Sequence, residues 1–174
     1  DPWLLKFGLD EYGKFKFFPK VIVSSRELND SMPKHVADLV EEALEEHGKK
    51  LKGSKVAILG VAFIENSDDT RNTPSATLYA ELKKRGAKPV LHDPIVRDFD
   101  LPFTNDLDKA LTNADAIVLS TKHKEYLKLD LNKLKYKLRT PVLIDGRNAF
   151  TEDAALKAGL TYRGVGKGKS KQTQ

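Results

Sequence analysis

Residues 55–73 read KVAILGVAFIENSDDTRNT, and this stretch is the most informative about the fold. It opens with a continuous apolar run from Val56 to Leu59, which predicts a buried strand, and the run breaks at Gly60. A polar loop follows and ends at Thr73-Pro74, a pair typical of a helix start. Strand, glycine, loop and helix in this order form the first half of a nucleotide-binding βαβ unit.

Downstream of this unit, apolar runs keep alternating with helical patterns as far as Gly164. Strands alternating with helices, each strand apolar throughout, indicate a parallel sheet with helices on both faces. A short edge strand at 101–103 would make the strand order 3-2-1-4-5-6. The fold class we expect is therefore α/β, a Rossmann-like parallel sheet over 53–164 that is preceded by a long connecting helix. The other strands are predicted at 88–92, 116–119, 141–145 and 160–163, and the helices at 73–86, 106–111, 121–138 (one or two) and 151–159.

The segments outside this domain predict a long helix, an incomplete preceding unit and a tail. Ser24 and Glu27 have the spacing of a capping box, and an apolar stripe runs from there to a stop at Gly48. Pro33 predicts either a kink or a restart of this helix. We interpret 24–48 as a connecting or dimerisation helix. Residues 1–23 are interpreted as the remnant of a larger unit, or alternatively as an arm on the main domain, and 165–174 as a disordered tail.

Composition excludes several classes of function. The chain of 174 residues has no cysteine, which excludes disulfides, thiolate metal sites and a cysteine nucleophile within it. No apolar run approaches the roughly 18 residues of a membrane span, and the opening Asp1-Pro2-Trp3 does not resemble a signal peptide. We therefore expect a cytoplasmic protein without membrane contacts. The net charge of +5 comes from 30 basic and 25 acidic residues that are interspersed, which favours a solvated surface over nucleic-acid binding.

The ligand site is predicted at the carboxyl ends of the strands, where loops open after Leu59, Leu119 and Asp145. These loops bring together a cationic set suited to a phosphate-bearing ligand: Arg71, Lys122, His123 and Arg147.

Several of these residues have a plainer alternative. Arg71 could pair with the acids of its own loop, Arg147 could pair with Asp145 or a helix end, and His123 could be an ordinary surface histidine. The adjacent acids Asp68 and Asp69 do not indicate a metal site, because no further ligand is apparent.

The glycine fingerprint of a dinucleotide site is incomplete. Gly60 is present and Ala62 could take the second place, but bulky residues follow and the loop is far longer than the usual turn. Asp93 stands where an acid would bind a ribose, or it only starts the Asp-Pro turn. A nucleotide held by loop side chains fits better than NAD bound by this domain alone.

Six motifs run in order along nearly the whole chain: 1–3 (DPW), 25–33 (SRELNDSMP), 60–63 (GVAF), 68–74 (DDTRNTP), 93–94 (DP) and 145–148 (DGRN). Taken together, they resemble the C-terminal half of the UDP-glucose/GDP-mannose dehydrogenase family. The helix motif and the ending at 162–166 (YRGVG) are more similar to the UDP-N-acetylmannosamine and UDP-N-acetylglucosamine branch than to the UDP-glucose branch.

The resemblance implies an activity. It implies an NAD-dependent oxidation of the C6 alcohol of a UDP-N-acetylhexosamine to a uronate, in two hydride transfers, in polysaccharide biosynthesis. NAD and the catalytic cysteine would belong mainly to an N-terminal domain that is missing here, so this chain alone is expected to be inactive. A homodimer through the central helix is also implied.

The resemblance also implies roles for single residues. Asp1 matches an aspartate that positions or activates water, and Arg71 matches an arginine that reaches the NAD of the neighbouring domain. Arg147 matches an arginine that contacts UDP, and Phe63 an aromatic residue near it.

One residue departs from the family pattern. Ile64 stands where the family usually has a lysine that contacts substrate. Lys122 or another group would have to substitute for that charge. The alternative functions are a stand-alone module that binds a nucleotide sugar or dimerises without catalysis, and a purely structural interaction domain.

Overall fold

The structure, a computed structural model, describes residues 2–13 and 18–167. Asp1 and most of the predicted tail lie outside the described residues, so the catalytic role of Asp1 stays a prediction. The chain divides into two compact units, 1–32 and 33–174, which are described separately. In the described part of the chain, no helix is long and apolar enough to cross a membrane.

The first unit consists of helix α1, Pro2–Tyr12, and the beginning of helix α2, Lys20–Glu45. The predicted capping box is wrong, because Ser24 and Glu27 lie inside α2. The predicted restart at Pro33 is also wrong, since α2 runs through this residue. A proline inside a helix costs ~3 kcal/mol. Beyond it α2 buries several apolar side chains worth ~1.5–3 kcal/mol each, which outweighs that cost.

The second unit confirms the predicted parallel sheet, with strand order β3-β2-β1-β4-β5-β6 and parallel pairing throughout. The edge strand lies slightly later than predicted, and residues 121–138 form two helices. Its strands are β1 Lys55–Leu59, β2 Lys88–His92, β3 Phe103–Thr104, β4 Ala116–Leu119, β5 Val142–Asp145 and β6 Thr161–Gly164. Its helices, after the end of α2, are α3 Pro74–Lys84, α4 Leu107–Leu111, α5 Lys124–Leu127, α6 Leu131–Lys137 and α7 Glu152–Lys157.

Helices cover the sheet on both faces, which explains why its inner strands are apolar throughout. Val56 and Ile58 of β1 belong to the core beneath α3 and the end of α2. The alternate residues Ala57 and Leu59 belong to the opposite core, beneath α4 to α7. Because successive side chains of a strand point to opposite faces, a strand buried on both sides has no polar position. Because the strands pair in parallel, their carboxyl ends lie at one edge of the sheet. The loops after β1, β2, β4 and β5 form the candidate site at this edge.

Candidate functional site

Three loops meet at the carboxyl edge of the sheet: the first loop (60–73), the second loop (120–123) and the third loop (146–151). The first loop contacts both others. Thr121 Oγ1 donates a hydrogen bond of 2.6 Å to the carbonyl of Ala62. Arg147 Nη2 of the third loop lies 3.5 Å from Glu65 Oε2. The tip of the first loop is thus held between two neighbouring strand ends.

The first loop leaves β1 through Gly60, whose φ is +101°. A Cβ atom there would lie 2.4 Å from Thr121 Cβ and 2.6 Å from Thr121 N. The position therefore requires glycine for its backbone conformation and for its closeness to the second loop. This contact lies between the ends of β1 and β4. That place is the topological switch point, where a dinucleotide binds in related sheets.

The carboxylate of Asp93, which directly follows β2, is fully buried. Burial raises its pKa, but hydrogen bonds from His123 and backbone amides outweigh that effect and hold the pKa well below its usual value. The predicted Asp-Pro turn is present, whereas binding a ribose does not fit a buried, fully bonded acid. Asp93 accepts hydrogen bonds of 2.7–3.0 Å from His123 Nε2 and from the backbone N–H groups of Val61, Ala62, Ile95 and Val96.

These contacts use the backbone donors that would otherwise bind a dinucleotide pyrophosphate in the usual place. The N–H groups after β1 that would bind phosphate donate to Asp93 instead. The start of α3 is likewise capped by hydrogen bonds within the protein. Thr73 caps it by accepting from Ser75 N, as predicted, and Ser75 Oγ donates to the carbonyl of Gly60. The switch point of this domain does not fit NAD.

His123 of the second loop is fully buried beneath the first loop. Its Nε2 lies 3.0 Å from Asp93 Oδ2, and its Nδ1 lies 2.9 Å from the backbone N of Asn66. The surface-histidine alternative is therefore wrong. Direct contact of His123 with a ligand does not fit this placement either, because both ring nitrogens bond within the protein.

Arg71 lies at the far end of the first loop, and its side chain is 86% exposed. It pairs with Asp69 at 2.7 Å, so the pairing within its own loop that the sequence left open is present. Hydrogen bonds from Arg71 lower the pKa of Asp69 to about 2. Such a solvent-exposed pair is weak and opens readily to another partner.

The tip of the first loop, residues 63–66, presents apolar side chains to solvent. Phe63 is 48% exposed and Ile64 is 50% exposed. Both lie next to Glu65, which contacts Arg147, so the loop brings the predicted residues Phe63 and Ile64 close to the third loop. A backbone hydrogen bond of 2.7 Å from Phe63 N to the carbonyl of Asp69 closes the tip.

The third loop is built on Asp145 at the end of β5. Its carboxylate accepts from the backbone N–H groups of Arg147, Ala149 and Phe150. The predicted alternative of a salt bridge between the Arg147 and Asp145 side chains is wrong, because the guanidinium of Arg147 points to Glu65.

The fourth member of the cationic set, Lys122, lies in the second loop and is partly exposed. Within the described residues its ammonium has no hydrogen bond or ion pair.

Sequence reasoning missed Glu65 and Asn66. The sequence does carry a signal for Asn66, whose φ is +59°, because asparagine tolerates the left-handed conformation. The same holds for Asn72 and Asn148, with φ of 55° and 51°, so such residues recur in the site loops. No group of three His, Asp or Glu residues that could hold a metal occurs in ranges 2–13 and 18–167.

Comparison with known proteins agrees with this architecture. Residues 57–152 match the model of the UDP-glucose/GDP-mannose dehydrogenase family, UDP binding domain. A UDP-N-acetyl-D-mannosamine dehydrogenase of Pyrococcus horikoshii is 34% identical over 97% of this chain and 37% of its own length. This chain thus spans little more than a third of that relative.

Solved structures give the same result. An NDP-N-acetyl-D-galactosaminuronic acid dehydrogenase of Methanosarcina mazei superimposes with a TM-score of 0.88 at 37% identity, over 94% of this chain and 36% of that chain. The structure of the P. horikoshii enzyme gives a TM-score of 0.82 at 33% identity, over 97% and 37% of the two chains.

Proposed function

The chain belongs to the UDP-glucose/GDP-mannose dehydrogenase family, and on that premise we propose that it is the nucleotide-sugar-binding C-terminal half of an NAD-dependent UDP-N-acetylhexosamine 6-dehydrogenase. The observation that carries the proposal is the joined pair of loop tips, where the exposed Phe63 lies two residues from the partner of Arg147. The relatives that span nearly this whole chain include several named UDP-N-acetyl-D-mannosamine dehydrogenases. Dimerisation through α2 and a cytoplasmic location remain predictions.

Arg147 is the residue best suited to the diphosphate. Its contact with Glu65 is long, at 3.5 Å, and half-exposed, so a diphosphate competes easily for the guanidinium. A planar guanidinium binds phosphate oxygens with two parallel hydrogen bonds. Lys122 supplies a second positive charge from the neighbouring loop.

Phe63 and Ile64 are suited to the apolar parts of the ligand. An exposed aromatic ring beside a diphosphate site offers a stacking surface to a uracil base. Ile64 contributes no charge, so ligand charge is balanced by Arg147 and Lys122 rather than from the loop tip.

NAD supplies the hydride acceptor when bound. The bonding of the N–H groups of Val61 and Ala62 to Asp93 supports our proposal that NAD binds to a part of the protein outside this chain. Arg71, which is exposed and only weakly held by Asp69, is the residue that we propose reaches it.

The test is isothermal titration calorimetry of the chain with UDP. Arg147→Ala should weaken UDP binding ~10- to 100-fold, the range expected for a charge-assisted pair. Arg139→Ala is a matched control. Arg139 is also half-exposed and also forms a long contact, 3.3 Å to Asp115, but it lies at the amino edge of the sheet.

Arg139→Ala should leave UDP affinity unchanged. The proposal is wrong if the chain binds no UDP, or if the two substitutions weaken binding equally.

A further inference from the structure

The tip of the first loop is attached to the body of the domain through the buried side chain of His123, in addition to the surface contact between Glu65 and Arg147. The backbone N–H of Asn66 donates to His123 Nδ1 at 2.9 Å, and the opposite ring nitrogen bonds Asp93 at 3.0 Å. Asn66 Oδ1 in turn accepts from the backbone N of Lys124 at 3.1 Å, directly after His123. The loop tip and the second loop are thus joined by two reciprocal hydrogen bonds around His123.

This geometry assigns the tautomer of His123. A backbone N–H can only donate, so Nδ1 must be the unprotonated acceptor. A carboxylate can only accept, so Nε2 carries the hydrogen that bonds Asp93. His123 is therefore a neutral imidazole, and a second proton on Nδ1 would face the Asn66 N–H and break that hydrogen bond.

We infer that His123 is a positioning residue for the nucleotide-sugar site. Resting on the function proposed above, the inference is that His123 never contacts the ligand. Instead it holds Asn66, and so places Phe63, Ile64 and Glu65, beside Arg147. The loop tip is ordered before the ligand arrives, and this preorganisation raises affinity because less conformational entropy is lost on binding.

The surroundings of His123 support this role. Asp93, which orients the ring, is itself held by four backbone amides, so the anchor cannot move. The ring of Tyr126 lies 5.6 Å from the His123 ring and 5.6 Å from the His92 ring. The charged or titratable groups that face or flank His123 are Asp93, Tyr126, His92, Lys122 and Lys124.

Three substitutions separate the two hydrogen bonds. His123→Asn keeps an acceptor near the position of Nδ1 but does not reach Asp93. His123→Gln keeps a donor near the position of Nε2 but offers Asn66 no acceptor. His123→Leu removes both.

The first measurement needs no ligand. In the wild-type chain the amide hydrogen of Asn66 should exchange slowly, since it is bonded to a buried ring. His123→Leu and His123→Gln should speed this exchange about tenfold or more, and His123→Asn should restore much of the protection. Backbone amides of β4 serve as internal controls and should exchange as in the wild type.

The second measurement is affinity for UDP-N-acetylglucosamine. This probe is chosen because its diphosphate is esterified at both ends and lacks a terminal phosphate that titrates near pH ~6. His123→Gln and His123→Leu should bind about tenfold more weakly than the wild type, and His123→Asn only slightly more weakly.

Several results would overturn the inference. One is unchanged Asn66 exchange in His123→Gln. Another is equal affinity of the Asn and Gln variants, a comparison that remains decisive even if His123→Leu does not fold. A wild-type chain that binds no sugar nucleotide refutes the proposed function alone, because the exchange experiment still tests the attachment of the loop.

Discussion

At the scale of single residues, the candidate site rests on a buried polar cluster of His92, Tyr126, His123 and Asp93. Tyr126 Oη bonds His92 Nδ1 at 2.8 Å, and the Tyr126 ring lies 5.6 Å from each of the two histidine rings. Burial lowers the pKa of His92 and raises that of Tyr126, so both groups are uncharged at neutral pH. Asp93 carries the negative charge of this cluster, and hydrogen bonds rather than a fixed cation balance it.

From this polar cluster we predict that the protein loses stability in acid in two stages. The pKa of His92 is lower in the folded state, so the unfolded state binds more protons once the pH falls below the unfolded histidine value of about 6.5. Stability contributed by Asp93, whose pKa is also depressed, is complete above the unfolded value of about 3.9 and is lost as the pH falls further. Urea unfolding over a pH series should show both decreases.

Histidine variants test the first stage. His92→Gln should weaken the dependence of the unfolding free energy on pH between about 6.5 and 5. His47→Gln, which changes an exposed histidine, should leave it intact. A wild-type unfolding free energy that stays constant across this interval would contradict the prediction.

At the scale of elements, the junction of β1, the first loop and β4 does not fit a dinucleotide at the switch point of the sheet. Gly60 approaches Thr121 closely, and the backbone N–H groups of Val61 and Ala62 donate to Asp93 instead of to a pyrophosphate. The proposed ligand groups are therefore those farther out, on the tips of the first and third loops.

Gly60→Ala tests this junction. The substitution meets two costs, a left-handed φ worth about 1–2 kcal/mol and a clash with backbone and side chain worth about 1–3 kcal/mol. We expect a loss of about 2–5 kcal/mol in the free energy of unfolding, with weaker UDP binding. Gly53→Ala is the control, because Gly53 has φ +87° but no atom within 4 Å of a new Cβ.

Gly53→Ala should therefore cost only about 1–2 kcal/mol and leave UDP binding intact. Equal losses of stability for the two substitutions would show that the contact with Thr121 is unimportant.

At the scale of the whole molecule, the chain spans 37% of the length of the P. horikoshii relative and contains no cysteine. Under the proposed function it would supply the nucleotide-sugar side of a larger active site, and the cysteine nucleophile and NAD would lie elsewhere in the protein.

Binding and turnover should therefore be separable. The chain alone should bind a UDP-N-acetylhexosamine but produce no uronate and no NADH when NAD is added. The complete protein, assayed in parallel, should produce both. Uronate formation by the chain alone would contradict this separation of binding from turnover. A complete protein that binds the sugar nucleotide without oxidising it would favour a binding module.

Local sequence patterns predicted most of the fold, and they failed where packing outweighs local preference. The apolar runs of β1, β4 and β5 predicted the sheet because these strands are buried on both faces. The capping box at Ser24 was wrong because serine and glutamate at that spacing also occur inside helices. In α2, burial of later residues outweighs the unfavourable Pro33.

For the candidate site, the sequence alone predicted which loops carry it and which basic residues they hold, since loops at the carboxyl ends of parallel strands must share one edge. The roles of those residues depend on the tertiary structure. Asp93 and His123 look from the sequence like ligand contacts, yet both are buried and bonded to each other. The reason is physical: Asn66 and His123 lie far apart in sequence, and a hydrogen bond between them leaves no local pattern.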